Sequence, residues 1–228
     1  MFDGQDANAP AALATADLAY SPAALSAKDR PARSAGADQT PSGRRLFFAN
    51  WLRHPLRTAA QAPSGKALAR EMARAAMAGR RPGPVVEFGV GTGSITDSLL
   101  AYGVDQRDLV LVEQNPEFCA FLSRRYPQAT LIEGDAFDAI RRLRGVAAQA
   151  VLSGLPLVQF PRASRLRFIH DCLDGVLASG GRVAQFTYGC RSPAPLTGGP
   201  RLRAHCSRRI WLNLWPACVW TYQRASEA

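Results

Sequence analysis

Acidic residues are scarce in this chain of 228 residues, and cysteines at metal-ligand spacing are missing. The 18 Asp and Glu are outnumbered by 28 Lys and Arg, which leaves a net charge of +10 and favours an anionic partner. The five cysteines include no Cys-x-x-Cys pair, so neither a disulfide framework nor a zinc site is supported. No apolar run reaches the roughly 18–20 residues of a membrane span, and no secretory signal precedes the chain's first apolar segments. These absences predict a cytoplasmic protein with reduced thiols and no metal.

The charge is concentrated in one short segment. Residues 1–42 hold three basic and five acidic residues among many Ala, Ser and Pro, a composition typical of a flexible tail. Residues 43–82 hold nine basic residues and a single acid, Glu71. We therefore predict three parts: a flexible tail at 1–42, a basic helical arm at 43–82 and a folded domain at 83–228.

The arm contains a predicted amphipathic helix that ends near Pro55. Its aromatic residues fall on one face at helical spacing, and arginines border that face. A basic amphipathic helix of this kind suits the interface of an anionic membrane, although a helix that packs on the domain is the alternative. The residues predicted to contact the membrane or a lipid phosphate are Phe47, Trp51, Arg53, His54 and Arg57.

From Val85 onward, short apolar strands alternate with helical segments, and two final strands have no helix between them. Such alternation predicts a parallel α/β sheet with helices on both faces and one antiparallel edge. The helix before the fifth strand is predicted to run to Gly180 and Gly181, and that strand to begin at Arg182.

Three glycines at every second position, Gly89, Gly91 and Gly93, follow the first predicted strand. The carboxyl ends of strands are where open α/β sheets bind ligands. The spacing is one residue tighter than the dinucleotide fingerprint, which favours a smaller nucleoside ligand over a pyrophosphate. A glycine-rich turn without a ligand is the alternative.

Acids end three successive predicted strands at Glu87, Glu113 and Asp135. Glu113 is placed to accept ribose hydroxyls, as in dinucleotide folds. Asp135 can accept from an exocyclic adenine amine, and Glu87 can face a cationic group of the ligand. Each acid alone is typical of a solvated strand end, but the three beside a glycine loop predict a nucleoside site.

The motif Glu-x-Gly-x-Gly-x-Gly at 87–93, Glu113 and Gly-Asp-Ala at 134–136 resemble the cofactor motifs of class I S-adenosylmethionine-dependent methyltransferases. The resemblance covers roughly residues 83–224. It implies a Rossmann-like sheet of seven strands, with S-adenosylmethionine as cofactor and S-adenosylhomocysteine as product. The cofactor-binding residues that it implies are Glu87, Gly89, Gly91, Gly93, Glu113, Gln114, Asp135, Ala136 and Ser153.

The stretch after the fourth strand, Ser-Gly-Leu-Pro-Leu at 153–157, lacks the amide or acid and the aromatic with which related enzymes hold a base amine. An apolar mouth instead suits an acyl-bearing substrate, and it is formed by Leu155, Leu157, Val158 and Phe160. Together with the arm, Gln-Phe-Thr-Tyr-Gly at 185–189 and the closing strands, this makes the chain resemble bacterial phospholipid N-methyltransferases, which are related to ribosomal RNA adenine dimethylases.

This resemblance implies stepwise methylation of phosphatidylethanolamine toward phosphatidylcholine at the inner face of the membrane, with no nucleic-acid partner. An RNA adenine N6-methyltransferase is the alternative, because the positive charge could equally neutralise phosphates. Tyr188 is the predicted catalytic residue, since its hydroxyl could hold the amine and its ring could favour the methylated cation. Ser153 is predicted to help orient the amine. A core tyrosine is the alternative interpretation of Tyr188.

Overall fold

The computed structural model describes residues 63–79, 81–188, 192–194, 202–207, 209–210 and 216–225. The predicted tail at 1–42 and the arm up to residue 62 lie outside the described residues. So do the predicted lipid contacts Phe47, Trp51, Arg53, His54 and Arg57. Across the described ranges, no helix has the length and apolar character to cross a bilayer.

Helices and strands alternate along the described chain. The strands are β1 (Val85–Phe88), β2 (Leu109–Glu113), β3 (Thr130–Glu133), β4 (Ala148–Ser153), β5 (Leu177–Tyr188), β6 (Leu202–Cys206) and β7 (Ala217–Arg224). The α-helices are α1 (Pro63–Met77), α2 (Ser94–Ala101), α3 (Pro116–Arg125), α4 (Ala136–Arg142) and α5 (Arg162–Asp171).

The strands form one sheet of seven in the order β3-β2-β1-β4-β5-β7-β6. The first five are parallel, and β7 runs antiparallel to both of its neighbours, β5 and β6. The chain reverses its direction of travel across the sheet at β1, where it moves from β3 to β4. This reversal is the point at which parallel α/β sheets open a crevice for ligands. The predicted seven-stranded Rossmann-like fold is confirmed.

Both faces of the sheet are covered by helices. Helices α4 and α5 pack on one face through side chains such as Ile140 and Phe168. Helices α1, α2 and α3 pack on the other through Met72, Leu99 and Leu122. Burial on both sides explains why β1, β2 and β4 are nearly continuous apolar runs rather than alternating patterns.

The segment before the fifth strand differs from its prediction. Helix α5 ends at Asp171, a π-helical turn follows over Cys172–Val176, and β5 already begins at Leu177. Leu177 pairs with Ala148, and the register then shifts before Ala150 pairs with Arg182. Gly180, at a φ of 75°, lies inside this strand irregularity instead of ending a helix.

Candidate active site

The predicted acids and glycines gather at one edge of the sheet. Phe88 at the end of β1 is paired with Val112 on one side and with Ser153 on the other, so the three following loops lie side by side. These loops and the next one enclose a small pocket. It is lined by Gly89, Val112, Glu113, Gln114, Gly134, Asp135, Ala136, Phe137, Leu155 and Phe160.

The glycines of the loop are required for two different reasons. All three glycines have a left-handed φ, from 57° at Gly91 to 83° at Gly93. A Cβ on Gly89 would lie 2.9 Å from Leu155 Cδ2, so protein packing already requires a glycine there. A Cβ on Gly91 would meet no described atom within 4 Å. Gly91 therefore opens onto free space, where a ligand can approach the backbone.

Glu113 ties β2 to the glycine loop. Its Oε2 accepts the N–H of Gly91 at 2.8 Å, and its Oε1 accepts the N–H groups of Gln114 and Asn115, both at 2.9 Å. A carboxylate offers about four acceptor positions, so three are already used. The remaining position on Oε2 can take one ribose hydroxyl; a second would require one of these backbone bonds to be exchanged.

Glu87 is a fully buried acid at the end of β1. Thr96 Oγ1 donates to its Oε2 at 2.7 Å, whereas Oε1 has no partner among the described residues. Burial raises the pKa of Glu87 to about 8, against the opposing effect of the Thr96 bond, and the charges of Glu113 and Asp97 raise it further. A cation placed at Oε1 would favour the ionised carboxylate, which suits the positive groups of S-adenosylmethionine.

Asp135 serves as the N-cap of α4. Its Oδ1 accepts the N–H groups of Phe137 at 2.8 Å and Asp138 at 3.3 Å, which leaves Oδ2 for an adenine amine. Gly134, just before it, would place a Cβ in open space within the described structure. Ala136 is buried in the pocket wall. The residues at this end of the pocket thus fit an adenosine.

Two aromatic residues of the pocket were not predicted to lie beside the cofactor. The rings of Phe137 and Phe160 lie 5.7 Å apart and form an apolar wall beside Asp135. The sequence signal was the position of Phe137 directly after the Gly-Asp-Ala motif. For Phe160 the sequence predicts a place in the apolar mouth for an acyl chain rather than a contact with the cofactor.

Two predicted site residues of the loop after β4 are buried. Leu155 is only 2% exposed and packs against Gly89, so it supports the glycine loop and lies off the surface that an acyl chain could contact. Ser153 is fully buried, and its Oγ accepts the N–H of Leu155 at 3.3 Å. In the described structure this hydroxyl shapes the loop, and its role toward the substrate amine stays a prediction.

Gly154 is a further site residue that the sequence reading missed. Its N–H donates to the carbonyl of Phe88 at 2.8 Å, and a Cβ at this position would lie 2.6 Å from the carbonyl oxygen of Gly89. Only a glycine lets the loops after β1 and β4 approach this closely.

Tyr188 ends β5 at the same edge of the sheet, three positions beyond Gln185, which pairs with Ser153. It is 50% exposed, and its ring stands nearly perpendicular to that of Phe186 at 5.5 Å. Partial burial raises the pKa of Tyr188, so the group is a neutral phenol at pH 7. It can hold a hydrogen bond there, but it is no phenolate base.

Comparison with known proteins adds a relative and a fold. No protein-family model matches the chain. Over 148 residues the chain is 31% identical to an ornithine lipid N-methyltransferase of Singulisphaera acidiphila. The matched region covers 62% of this chain and 76% of that enzyme.

Two solved structures share the fold. One is a Burkholderia thailandensis 1,6-didemethyltoxoflavin N1-methyltransferase with bound 1,6-didemethyltoxoflavin and S-adenosylhomocysteine. Its TM-score is 0.60 at 14% identity, over 85% of this chain and 94% of that one. The other is TrmN of Thermus thermophilus, with a TM-score of 0.54 at 18% identity, over 73% of this chain and 53% of that one. At such identities the likeness concerns the fold alone.

Proposed function

The chain belongs to the same family as the ornithine lipid N-methyltransferase of Singulisphaera acidiphila, and on this premise we propose that it methylates the headgroup amine of a membrane lipid. It is an S-adenosylmethionine-dependent N-methyltransferase in its fold and family. The substrate that we propose is phosphatidylethanolamine, with its methylated intermediates, on the way to phosphatidylcholine. The 31% identity to a lipid N-methyltransferase is the observation that carries a lipid amine as substrate, and the sequence resemblance to phospholipid N-methyltransferases favours phosphatidylethanolamine.

The pocket residues divide the work of holding the cofactor. When bound, S-adenosylmethionine would supply a sulfonium-bound methyl group, which an amine lone pair can attack as S-adenosylhomocysteine leaves. Glu113 offers its free acceptor position to the ribose, and Asp135 offers Oδ2 to the adenine amine. The space beside Gly91 lets the ligand contact the backbone of the loop. Glu87 is buried and would supply a negative charge when its carboxyl group is ionised.

The substrate amine has to lose a proton before it can attack. An alkylammonium has a pKa near 10, so freeing its lone pair at pH 7 costs about 4 kcal/mol. We propose that the Tyr188 oxygen accepts a hydrogen bond from the neutral amine and so orients it. The half-exposed ring then lies where it can stabilise the methylated cation. Alignment of the amine contributes more than base strength, because Tyr188 remains a phenol.

The loop after β4 supports a lipid over an RNA base. The residues from Ser153 to Pro156 carry neither an acid nor an amide, and no aromatic ring stands among them for a base to stack on. Val158, a few residues on, is 48% exposed and gives this edge an apolar surface. These features favour an amphiphile, whose amine needs no base-recognition motif.

Labelled S-adenosylmethionine decides between the substrates. We would incubate the full chain with vesicles that contain phosphatidylethanolamine, its monomethyl form or an ornithine lipid, and with RNA. We expect label in the first two lipids. Label in the ornithine lipid alone would correct the headgroup, and label in RNA alone would refute a lipid substrate.

We also propose that the basic arm brings the enzyme to an anionic membrane surface as a peripheral protein of the inner face. Deletion of residues 1–42 is expected to leave vesicle binding intact, whereas deletion through residue 62 should abolish it. Binding should weaken with salt, because exposed charges are screened over about 8–10 Å. Salt-insensitive sedimentation of the longer deletion with anionic vesicles would show that another element binds the membrane.

A further inference from the structure

Gly93, the last glycine of the loop, lies in contact with Tyr126, which comes much later in the chain. Tyr126, which follows α3, is 3% exposed. Its hydroxyl lies 3.1 Å from the carbonyl oxygen of Gly93, 33 positions earlier. A Cβ on Gly93 would lie 2.5 Å from this hydroxyl and 2.9 Å from the ring atom Cε2. Gly93 is therefore a glycine partly because the Tyr126 ring fills the space beside it.

Asp97 closes a small ring of contacts with these two residues. Its backbone N–H donates to the carbonyl of Gly93 at 2.8 Å, and its Oδ1 accepts from the Tyr126 hydroxyl at 2.7 Å. Arg125 donates to the other oxygen, Oδ2, at 2.6 Å. The hydroxyl group has a single hydrogen for two nearby acceptors, and the charged carboxylate of Asp97 is the stronger of them. Tyr126 is thus fixed by Asp97 while its oxygen rests against Gly93.

This ring of contacts keeps one protonation state across ordinary assay conditions. Burial raises the pKa of Tyr126 well above its usual range, and the bond to Asp97 raises it further. Tyr126 therefore donates to Asp97 at every pH at which the enzyme would be assayed. A pH-driven change in the glycine loop would have to originate elsewhere.

The glycine loop has few other supports. Its three glycines have no side chain to pack and adopt left-handed backbone angles, whereas Val90 between them is buried in the core. Leu155 supports the loop at Gly89, Glu113 holds it at Gly91, and Tyr126 supports it at Gly93. Of these three glycines, Gly89 lines the pocket, whereas Gly93 is not among the lining residues.

We propose that Tyr126 is a positioning residue for the cofactor, which acts by fixing the glycine loop through Gly93 and Asp97. The inference rests on the proposed function only for the identity of the cofactor. Tyr126 itself lies behind the loop and touches no reacting atom in this role. Its effect should accordingly be on cofactor affinity, with turnover at saturating cofactor little changed.

Tyr126→Phe tests the proposal, because it keeps the buried ring and removes only the hydroxyl. Calorimetry with S-adenosylhomocysteine is expected to show binding weakened about threefold to tenfold, the range for residues that act through a network. Tyr102→Phe is the matched control, since Tyr102 is an exposed tyrosine at the end of α2. It should bind S-adenosylhomocysteine like the wild type.

Asp97→Ala and the double variant with Tyr126→Phe complete a cycle. If Tyr126 and Asp97 act through one contact, the double variant should bind the cofactor product about as weakly as the weaker single variant. Simple addition of the two losses would overturn the shared contact. A Tyr126→Phe protein of wild-type affinity and lower melting temperature would make Tyr126 an ordinary core residue and end the proposal.

Hydrogen exchange gives a readout that needs no ligand. In Tyr126→Phe, the amides of Gly93 and Asp97 should exchange faster than in the wild type, while those of β4 should not change. Equal exchange in the loop would also overturn the proposal. Failure of the wild type to bind S-adenosylhomocysteine would refute the cofactor instead, and the exchange comparison would still decide the role of Tyr126.

Discussion

The side chain of Glu113 holds the backbone N–H of Gly91 at 2.8 Å, which joins the end of β2 to the loop after β1. Glu113, which is predicted to bind ribose, is therefore coupled directly to Gly91, beside which the ligand is predicted to lie. A change at Glu113 should alter the loop as well as the ribose contact. This coupling sets the expectations for variants at this edge of the sheet.

Glu113→Gln is expected to weaken binding of S-adenosylhomocysteine by about 1–3 kcal/mol. The amide can no longer accept all three backbone N–H groups, and one end of it becomes a donor that faces donors. Calorimetry measures the affinity. Glu133→Gln is the control, because Glu133 pairs with Glu113 in the sheet but is exposed. Equal affinity of the two variants would remove Glu113 from the cofactor site.

Gly91→Ala and Gly93→Ala should separate ligand contact from folding. Both force an alanine into a left-handed φ, at a cost of about 1–2 kcal/mol. The new Cβ at residue 91 enters open space at the loop, so cofactor affinity should fall more than stability does. The new Cβ at residue 93 meets Tyr126, so the melting temperature should fall further. If Gly91→Ala lost more stability than cofactor affinity, the ligand would not use the open space at Gly91.

Glu87 should make stability depend on pH. Its folded pKa of about 8 lies above the ordinary value of 4.5, so the native protein holds this proton more tightly than the unfolded chain. The contribution of Glu87 is complete below pH 4.5 and is lost as the pH rises through 8. The melting temperature of the wild type should therefore fall relative to that of Glu87→Gln between these values. A constant difference between the two proteins would contradict the raised pKa.

Tyr188→Phe should lower turnover by about 10²-fold or more, if the hydroxyl orients the amine in the transition state. Affinity for S-adenosylhomocysteine should change little. Tyr188→Ala should in addition slow the methylated intermediates most, because they alone present a soft cation to the ring. Rates with phosphatidylethanolamine and its monomethyl form measure both roles. Wild-type rates in the Phe variant would exclude the hydroxyl, and wild-type rates in the Ala variant would exclude the ring.

The sequence predicted the parts of the site that depend on backbone geometry. Glycines at Gly89 and Gly91 and acids at strand ends follow from rules for the carboxyl edge of a parallel sheet, and the structure brings Glu87, Glu113 and Asp135 to that edge. The antiparallel closing pair followed from the same alternation of elements, whereas the strand order is known from the structure alone. Such features are local in the chain, so single motifs reveal them.

The missed features depend on contacts between distant segments. The burial of Leu155 follows from its fit against Gly89, which no spacing in the sequence records. The same holds for Tyr126 at Gly93 and for Gly154 at the carbonyl of Gly89. The helix was predicted to reach Gly181, but Leu177 pairs with Ala148 in the sheet, and this pairing overrides the local helix propensity.

The position of β7 between β5 and β6 has a consequence for synthesis on the ribosome. Among the described strands, β6 pairs with β7 alone, and β7 is made later, so β6 lacks its partner when it first emerges. Until residues 217–224 follow, β5 exposes an unpaired edge to other chains. The nascent protein therefore passes through an interval in which most of the sheet is complete but its margin is open. A chaperone that covers this edge during the interval would keep the unpaired strand from pairing with other chains.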